Sequence, residues 1–550
     1  MQTIQHPFIK PDAIELRQYQ LTMAMQALLE NTLLVLPTGL GKTVIALLVA
    51  ASRLLNAGGR VLIVAPTKPL VDQHLRFFEH GLTLPNPVDN DFVSFTGDTP
   101  PGKRTQLWEG CRICCATPQV IRNDIENGHY NLSDVTLMVV DECHRAVGNY
   151  AYTRLAEHYL QTATQPLILG MTASPGSESA RVQEICTHLG IIHVESRDET
   201  DPDVIPYIHE RTVEYIPVEL PATLKRIVRI IEGMIDTRIA TLVQLQYALP
   251  RREGLTMKVL SQLHETIQGR IAAGDQTAYL AASLYAEIMK LRHAVILAES
   301  QGSRALARYI GKLVTEGHSK KGSRASQRMV QDYRFSEIQR IVSEINEEIH
   351  PKAGIVAAII RDQLLTAQES RIIIFASYRD SVAMLVEFLS DEGITACRFV
   401  GQASRESEKG LSQKKQIETI QKFRGGEYPV LVATSVGEEG LDIPSTDLVI
   451  FYEAVPSEIR SIQRKGRTGR SGAGRIIVLV TKGTTDETFR WVSSRREKAM
   501  ASGVRRLQTR VETDESETDI GDGEETGTRK KDVQSNIDSF ISRMDSDVGF

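Results

Sequence analysis

Ten short apolar segments, in two sets of five, constrain this 550-residue chain more than any other feature. The first set lies between residues 30 and 200: "TLLVLPT", "RVLIVAPT", "CRICCATP", "TLMVVDE" and "PLILGMTAS". The second lies between 371 and 482: "RIIIFAS", "ITACRFVG", "YPVLVATS", "DLVIFYE" and "RIIVLVTKG". Each is nearly continuous in apolar residues instead of alternating, the pattern of a strand buried on both faces of a parallel sheet. Helical patterns separate the segments, so each set predicts an α/β domain of about 150–200 residues.

The intervening text differs. After "TVEYIPVEL" the β-type segments stop and helical stretches such as "LYAEIMKLRHAVILAESQ" and "FSEIQRIVSEINEEIH" take over. The organisation expected is a first α/β domain over 1–205, a helical insert over 206–350 and a second α/β domain over 351–505. An acidic tail over 506–550 has too little apolar surface to fold, and disorder is expected there.

Charge follows the same division. Of the net −5, residues 511–550 contribute −8 through 12 acids and 4 bases, leaving a body of +3 that permits nucleic-acid binding. No apolar run approaches the roughly 18 residues of a membrane span, and the start, "MQTIQHPFIK", lacks a signal-peptide core. A cytoplasmic, intracellular location is expected. The six cysteines, three of them in the strand-like "CRICCATP", lack the turn-linked pairs of a zinc site and read as reduced core residues.

Chemistry enters at "LLVLPTGLGKTVIALL", a strand, a glycine-containing turn and a helix. Gly39 and Gly41 let backbone amides close around phosphates at a helix N-terminus. Lys42 is placed to reach the β- and γ-phosphates and Thr43 to hold Mg²⁺. The strict pattern has glycine where this chain has Leu36, so a glycine turn before an ordinary core helix is the competing reading. A second anchor for the cation lies in "LMVVDECH": Asp141 ends a buried strand, Glu142 is placed to orient the attacking water, and His144 to sense the site. From the second domain, "IQRKGRTGR" offers Arg464, Arg467 and Arg470 at spacing three, forked donors suited to a γ-phosphate.

The ordered series "LRQYQ", "PTGLGKT", "APTKPL", "ATPQV", "DECH", "TAS", "IIIFASYR", "ATSVGEEGLD" and "QRKGRTGR" resembles a superfamily 2 helicase across about 500 residues. The segments "RAVGNYAY", "GMTASPGS", "RFVGQAS" and "VPSEIRSIQRKGRTGR" narrow the resemblance to the archaeal Hef helicases and their eukaryotic FANCM relatives. One departure is Cys143, where the family often has alanine. The resemblance implies two RecA-like P-loop domains separated by a thumb-like helical insert, ATP and Mg²⁺ as cofactors, and forked or branched DNA as substrate, tracked 3′ to 5′ at stalled replication.

By position it assigns ATP binding to Arg17, Gln20, the loop Pro37, Thr38, Gly39, Leu40, Gly41, Lys42 and Thr43, and Gly437 and Asp442. Lys42, Asp141, Glu142, His144, Gln463, Arg467 and Arg470 would be catalytic, with Thr43 and Asp141 on the metal and Thr172 and Ser174 coupling hydrolysis to motion. A DNA groove would run along Thr67, Lys68, Thr96, Gly97, Thr117 and Gln119 of the first domain and Ser377, Tyr378, Arg379, Gln402 and Thr434 of the second. In the insert Arg251, Arg252, Lys320, Lys321, Arg324 and Arg328 are candidate phosphate contacts. The tail residues Gln534, Ile537, Phe540 and Ile541 look like a peptide that binds the sliding clamp PCNA. Many members of that family continue into an XPF-type nuclease domain; no nuclease-like acidic "ERK" motif is present here, so the resemblance implies either a separate XPF-type nuclease as partner or a lineage without one. Two other functions stay open on the residues: a double-stranded-RNA-dependent ATPase of the RIG-I and Dicer type, and an ATP-switched DNA-binding module without strand separation.

Overall fold

The computed structural model describes residues 2–208, 211–401, 411–437, 443–465, 468 and 474–518. Candidate residues Gln402, Asp442, Arg467, Arg470, Gln534, Ile537, Phe540 and Ile541 lie outside the described residues.

The first five apolar segments form strands, joined by two more. In chain order these are β1 (Thr32–Val35), β2 (Arg60–Val64), β3 (Phe92–Phe95), β4 (Ile113–Ala116), β5 (Val135–Asp141), β6 (Ile168–Thr172) and β7 (His193–Ser196). They make one parallel sheet in the order β3-β4-β2-β5-β6-β1-β7. β1, β4, β5 and β6 are buried at every residue, which is what continuous apolar runs require. Two apolar clusters, one centred on Leu34, Ile45, Ile63 and Val139 and the other on Leu62, Val64, Met138 and Val140, fill the two faces of the sheet. Alternate residues of one strand therefore serve opposite cores.

The second sheet contains β8 (Arg211–Val218), β9 (Ile372–Phe375), β10 (Ala396–Phe399), β11 (Val430–Ala433), β12 (Leu448–Phe451) and β13 (Gly474–Thr481). It too is parallel, in the order β10-β11-β9-β12-β13-β8. Here the structure corrects the sequence reading. β8 was expected to begin the helical insert, but it pairs along its whole length with β13 as an edge strand of the second sheet. The chain thus crosses to the second domain, leaves it for the insert, and returns.

The insert proper consists of helices over Ala222–Gln244, Met257–Ala272, Thr277–Ile296, Ser303–His318, Arg324–Gln331 and Tyr333–Ser343. They surround their own core of Leu224, Ile227, Ile231, Leu284, Leu306 and Ile338. Ser323 and Asp332 cap two of these helices, each accepting a backbone N–H from the first turn. Between Ile296 and Gly302 the chain makes one π-helical turn, Leu297–Gln301, buried where the insert meets the second domain. Helix Thr485–Thr518 runs past the expected start of the tail at 506. It returns toward the first domain, where Met500 packs against the second of its clusters.

All six cysteines are free and buried, and burial pushes the Cys111 thiol up to about 11 and that of Cys397 to about 12. Among the described residues no helix is long and apolar enough to cross a membrane.

Candidate ATPase site and nucleic-acid groove

The phosphate loop joins β1 to helix Lys42–Asn56, and two left-handed glycines make it possible: Gly39 at φ 93° and Gly41 at φ 85°. A side chain at Gly41 would be strained by φ and would also bring its Cβ to 2.3 Å from Gln20 Nε2. That contact shows what holds the loop. Gln20 Nε2 donates to the Leu40 carbonyl at 3.0 Å and the Tyr19 hydroxyl donates to the same oxygen at 2.7 Å. Gln20, expected to recognise adenine, is buried with its amide nitrogen turned to the loop backbone. Arg17 pairs with Glu15 at 2.8 Å and lies 5.0 Å over the Tyr207 ring. Lys42 Nζ donates to the Leu36 carbonyl at 2.8 Å.

Asp141 ends β5 with 7% exposure. Its Oδ2 faces His74 Nε2 at 2.8 Å and its Oδ1 accepts the Glu142 backbone N–H at 3.0 Å. Burial by itself would raise this carboxyl, but His74 and then Lys42 outweigh it and hold Asp141 below the usual carboxylate range. Glu142 sits at φ 49°, a left-handed conformation uncommon outside glycine and frequent at functional sites. Glu142 Oε2 lies 3.2 Å from His144 Nδ1, and the same nitrogen lies 3.2 Å from Thr172 Oγ1. Thr172 in turn donates to the Ser174 carbonyl at 3.1 Å, and the Ser174 hydroxyl meets Met500 Sδ at 2.7 Å. Each of the two adjacent acids therefore has its own histidine, and the second histidine continues into the Thr172–Ser174 segment.

His74 escaped the sequence reading. It lies on helix Lys68–Gly81, 67 residues before Asp141, and no local motif marks it. A faint signal was available: a histidine among apolar neighbours in "PLVDQHL", on the buried face of that helix. Tyr152, also unforeseen, donates to the Asp141 carbonyl at 2.7 Å and braces the strand end.

The donors near Lys42 suit a hard cation. A Thr43 hydroxyl and an ionised Asp141 carboxylate are oxygen ligands, and no group of three or more His, Cys, Asp or Glu able to hold a metal occurs among the described residues. Mg²⁺ characteristically takes one or two protein oxygens and completes its shell with phosphates and water.

In the second domain Gly437 is required by close packing, since a Cβ there would lie 2.9 Å from that of Ala433. Gln463 is buried on helix Glu458–Lys465. Arg464 corrects another expectation. Read beside Arg467 and Arg470 as one of a series of phosphate-facing arginines, it is fully buried, 5.0 Å over the Phe375 ring and 5.5 Å over Phe451. Its charge is met inside the domain by Glu453 at 3.8 Å.

Residues 17–182 match the DEAD/DEAH box helicase family and residues 355–472 the helicase conserved C-terminal domain. Residues 223–348 match a family described as "Putative ATP-dependent RNA helicase, helical bundle". The helicase domain of Hef from Pyrococcus furiosus, a solved structure, is 41% identical, with a TM-score of 0.67 over 88% of this chain and 100% of that one. The chain belongs to the Hef/FANCM helicase family. It carries both the DEAD/DEAH box domain and the C-terminal helicase domain of that family. The "Putative ATP-dependent RNA helicase" of Methanocaldococcus jannaschii is 42% identical over 88% of this chain and 60% of its own length. The "Fanconi anemia group M protein homolog" of Mus musculus is 33% identical over 88% of this chain and 25% of its own. The chain thus spans between about a quarter and three fifths of the length of these curated relatives.

In this helicase the groove candidates cluster at strand-to-helix turns. Thr67 follows β2 and precedes helix Lys68–Gly81, Thr117 follows β4 and precedes Pro118–Glu126, and Tyr378 follows β9 and precedes Arg379–Asp391. β2 and β4 are neighbours, so the Thr67 and Thr117 turns lie side by side at the carboxyl edge of the sheet. Lys68 is paired with Asp98, and Thr96 Oγ1 accepts the Asp98 N–H at 3.4 Å, tying the Thr96–Gly97 turn to the same place. Gln119 is in the first turn of its helix. Arg379 donates to the Gly401 carbonyl at 3.1 Å, Thr434 is buried at the end of β11, and Ser377 donates to Glu453 at 2.6 Å. Of the insert bases, Arg328 is paired with Glu287 at 3.0 Å and Arg252 with Glu232 at 3.2 Å. Arg251, Lys320, Lys321 and Arg324 are exposed.

Proposed function

We propose that this helicase moves along DNA, 3′ to 5′, and remodels forked and branched structures at stalled replication. The observation that carries the reading is the pair of helix N-termini at Thr67 and Thr117, side by side on the first sheet, matched by the helix N-terminus at Tyr378 on the second. Hydroxyls and backbone N–H groups at helix starts bind phosphate oxygens and read no base, which suits a motor that tracks a strand of any sequence.

The chemistry divides between the domains. Backbone amides of residues 38–43 and Lys42 take the triphosphate; Thr43 and Asp141 would hold Mg²⁺, which neutralises charge on the β- and γ-phosphates. Glu142, fixed by His144, orients the attacking water and takes its proton. Gln463, Arg467 and Arg470 of the second domain would act on the γ-phosphate, so that the phosphates draw the domains together and hydrolysis releases them. His144, Thr172 and Ser174 link the water-orienting acid to the domain boundary. Gln534, Ile537, Phe540 and Ile541 would serve as the sliding-clamp peptide.

RNA is the second reading, favoured by the printed description of the helical-bundle family and of the Methanocaldococcus relative. The discriminating experiment compares ATPase stimulation by forked DNA with that by duplex RNA, followed by displacement of a labelled strand from the fork. Greater stimulation by RNA would overturn the DNA reading; stimulation without displacement would reduce the protein to an ATP-switched binder.

A further inference from the structure

Glu453 stands just beyond the end of β12, at the carboxyl edge of the second sheet, with 4% exposure. Three elements converge on its carboxylate. Ser377, after β9, donates its hydroxyl to Oε1 at 2.6 Å. Gln301, the last residue of the insert's π-helical turn and itself fully buried, donates its amide to Oε2 at 3.2 Å. Arg464, on helix Glu458–Lys465, brings Nη1 to 3.8 Å from Oε1. We propose that Glu453 is a positioning residue that relays the placement of the helical insert and of Ser377 to helix Glu458–Lys465, and so sets Gln463 and the arginines that follow it.

The physical basis is the cost of leaving any member alone. A buried carboxylate must keep its partners, and a buried guanidinium must keep a counter-charge. Arg464 has little room to follow a retreating carboxylate, because its fully buried guanidinium packs against the adjoining rings of Phe375 and Phe451. Its helix must therefore move with it. The insert grips the same corner a second time: His293 packs 5.1 Å from the Tyr378 ring, next to Ser377, and 4.6 Å from Tyr309 of the insert. A π-helical turn at this point fits the pattern in which such turns mark functional joints.

The groove reading adds a direction, and this part rests on it. A nucleic-acid phosphate that attracted the Ser377 hydroxyl would take the shortest of the three contacts from Glu453. Oε1 would then have Arg464 as its nearest partner, and the pair would close from 3.8 Å. Occupancy of the groove would thus be felt at helix Glu458–Lys465 without any group spanning the cleft between the domains.

The test uses Gln301→Leu, which removes the insert's arm at similar size, and Glu453→Gln, which keeps shape but not charge. ATP turnover is measured with and without a forked oligonucleotide, beside thermal melting and fork affinity. Q301L should keep nucleic-acid-free turnover and fork affinity within about twofold while stimulation by the fork falls about fivefold or more, as expected when coupling and not binding is lost. E453Q should lower kcat about tenfold or more with KM for ATP within about threefold, because most of the candidate nucleotide-binding residues lie in the first domain, away from Glu453. Unchanged stimulation in Q301L together with unchanged kcat in E453Q overturns the relay. Parallel loss of both turnovers with an early melt also overturns it, in favour of a purely structural contact. If E453Q melts early, Q301L decides the case. If wild type is stimulated by no nucleic acid, the groove reading fails, and the kcat-against-KM split in E453Q then decides the relay.

Discussion

Replacing His74 with leucine is the most direct probe of the candidate ATPase site. Asp141 is 7% exposed, and its carboxylate has two hydrogen-bond partners: His74 Nε2 at 2.8 Å and the Glu142 N–H at 3.0 Å. Leucine fills the space but removes the first partner, the larger stabilising influence on the ionised carboxylate. A lost hydrogen bond to a charged group is worth about 1.5–3 kcal/mol, and an Asp141 that rotates to regain a partner leaves the geometry its chemistry needs. Lys42, which also stabilises the ionised carboxylate, would have to give up the Leu36 carbonyl at 2.8 Å and its place in the candidate phosphate loop to replace the histidine. The expected result is a kcat lowered about 10- to 100-fold, with KM for ATP changed less than about threefold. The Mg²⁺ concentration giving half-maximal binding of a fluorescent nucleotide should rise in parallel. His74→Gln keeps an N–H donor and should recover part of both losses. Wild-type turnover in H74L, or equal loss in H74L and H74Q, would show that the histidine does not hold the carboxylate in its working position.

Other perturbations test separate claims. Lys42→Ala and Arg470→Ala should each reduce ATP hydrolysis by about 10³-fold or more while DNA binding in a gel-shift assay stays near wild type. Glu287 is fully buried between Arg238 at 3.0 Å and Arg328 at 3.0 Å, so Glu287→Leu should destabilise the insert by about 3–5 kcal/mol in denaturant melts. Adding Arg238→Met should return much of that loss. Glu299, buried in the π-helical turn, has its carboxyl pushed up to about 7 by burial, so the folded state keeps a proton that the unfolded chain releases from about pH 4.5 upward. Its contribution is therefore present below that pH and lost as pH rises through 7, by about 3 kcal/mol. His350 beside it is held down to about 4 by burial and slopes the opposite way between 6.5 and 4, so Glu299→Gln must be compared with wild type at each pH. The variant's advantage should grow from pH 4.5 to 8 in urea melts; a constant difference would refute the assignment.

Much of the candidate site was legible because its parts are local. A strand, two glycines and a lysine specify a phosphate loop within ten residues, and Asp141 and Glu142 follow their strand directly. The strands themselves were legible because burial on both faces leaves no alternation to misread. What could not be read were partners chosen by sheet order. His74 meets Asp141 only because β2, whose following helix carries the histidine, lies next to β5. β8 joined the second sheet through a partner more than 250 residues away, and its half-exposed pattern gave no sign of it.

Arg464 marks the boundary between the two kinds of knowledge. Its spacing from Arg467 and Arg470 described a series of like residues, and a one-dimensional pattern weighs all three equally. Side-chain direction on helix Glu458–Lys465 sent Arg464 inward to Glu453 and two phenylalanine rings. By itself the sequence determined which chemistry the chain carries, because catalytic groups must sit at fixed offsets from the backbone that presents them. Which charges face outward to act and which turn inward to hold the frame was decided by tertiary structure alone, since a buried charge takes its partner from whatever element the fold packs beside it.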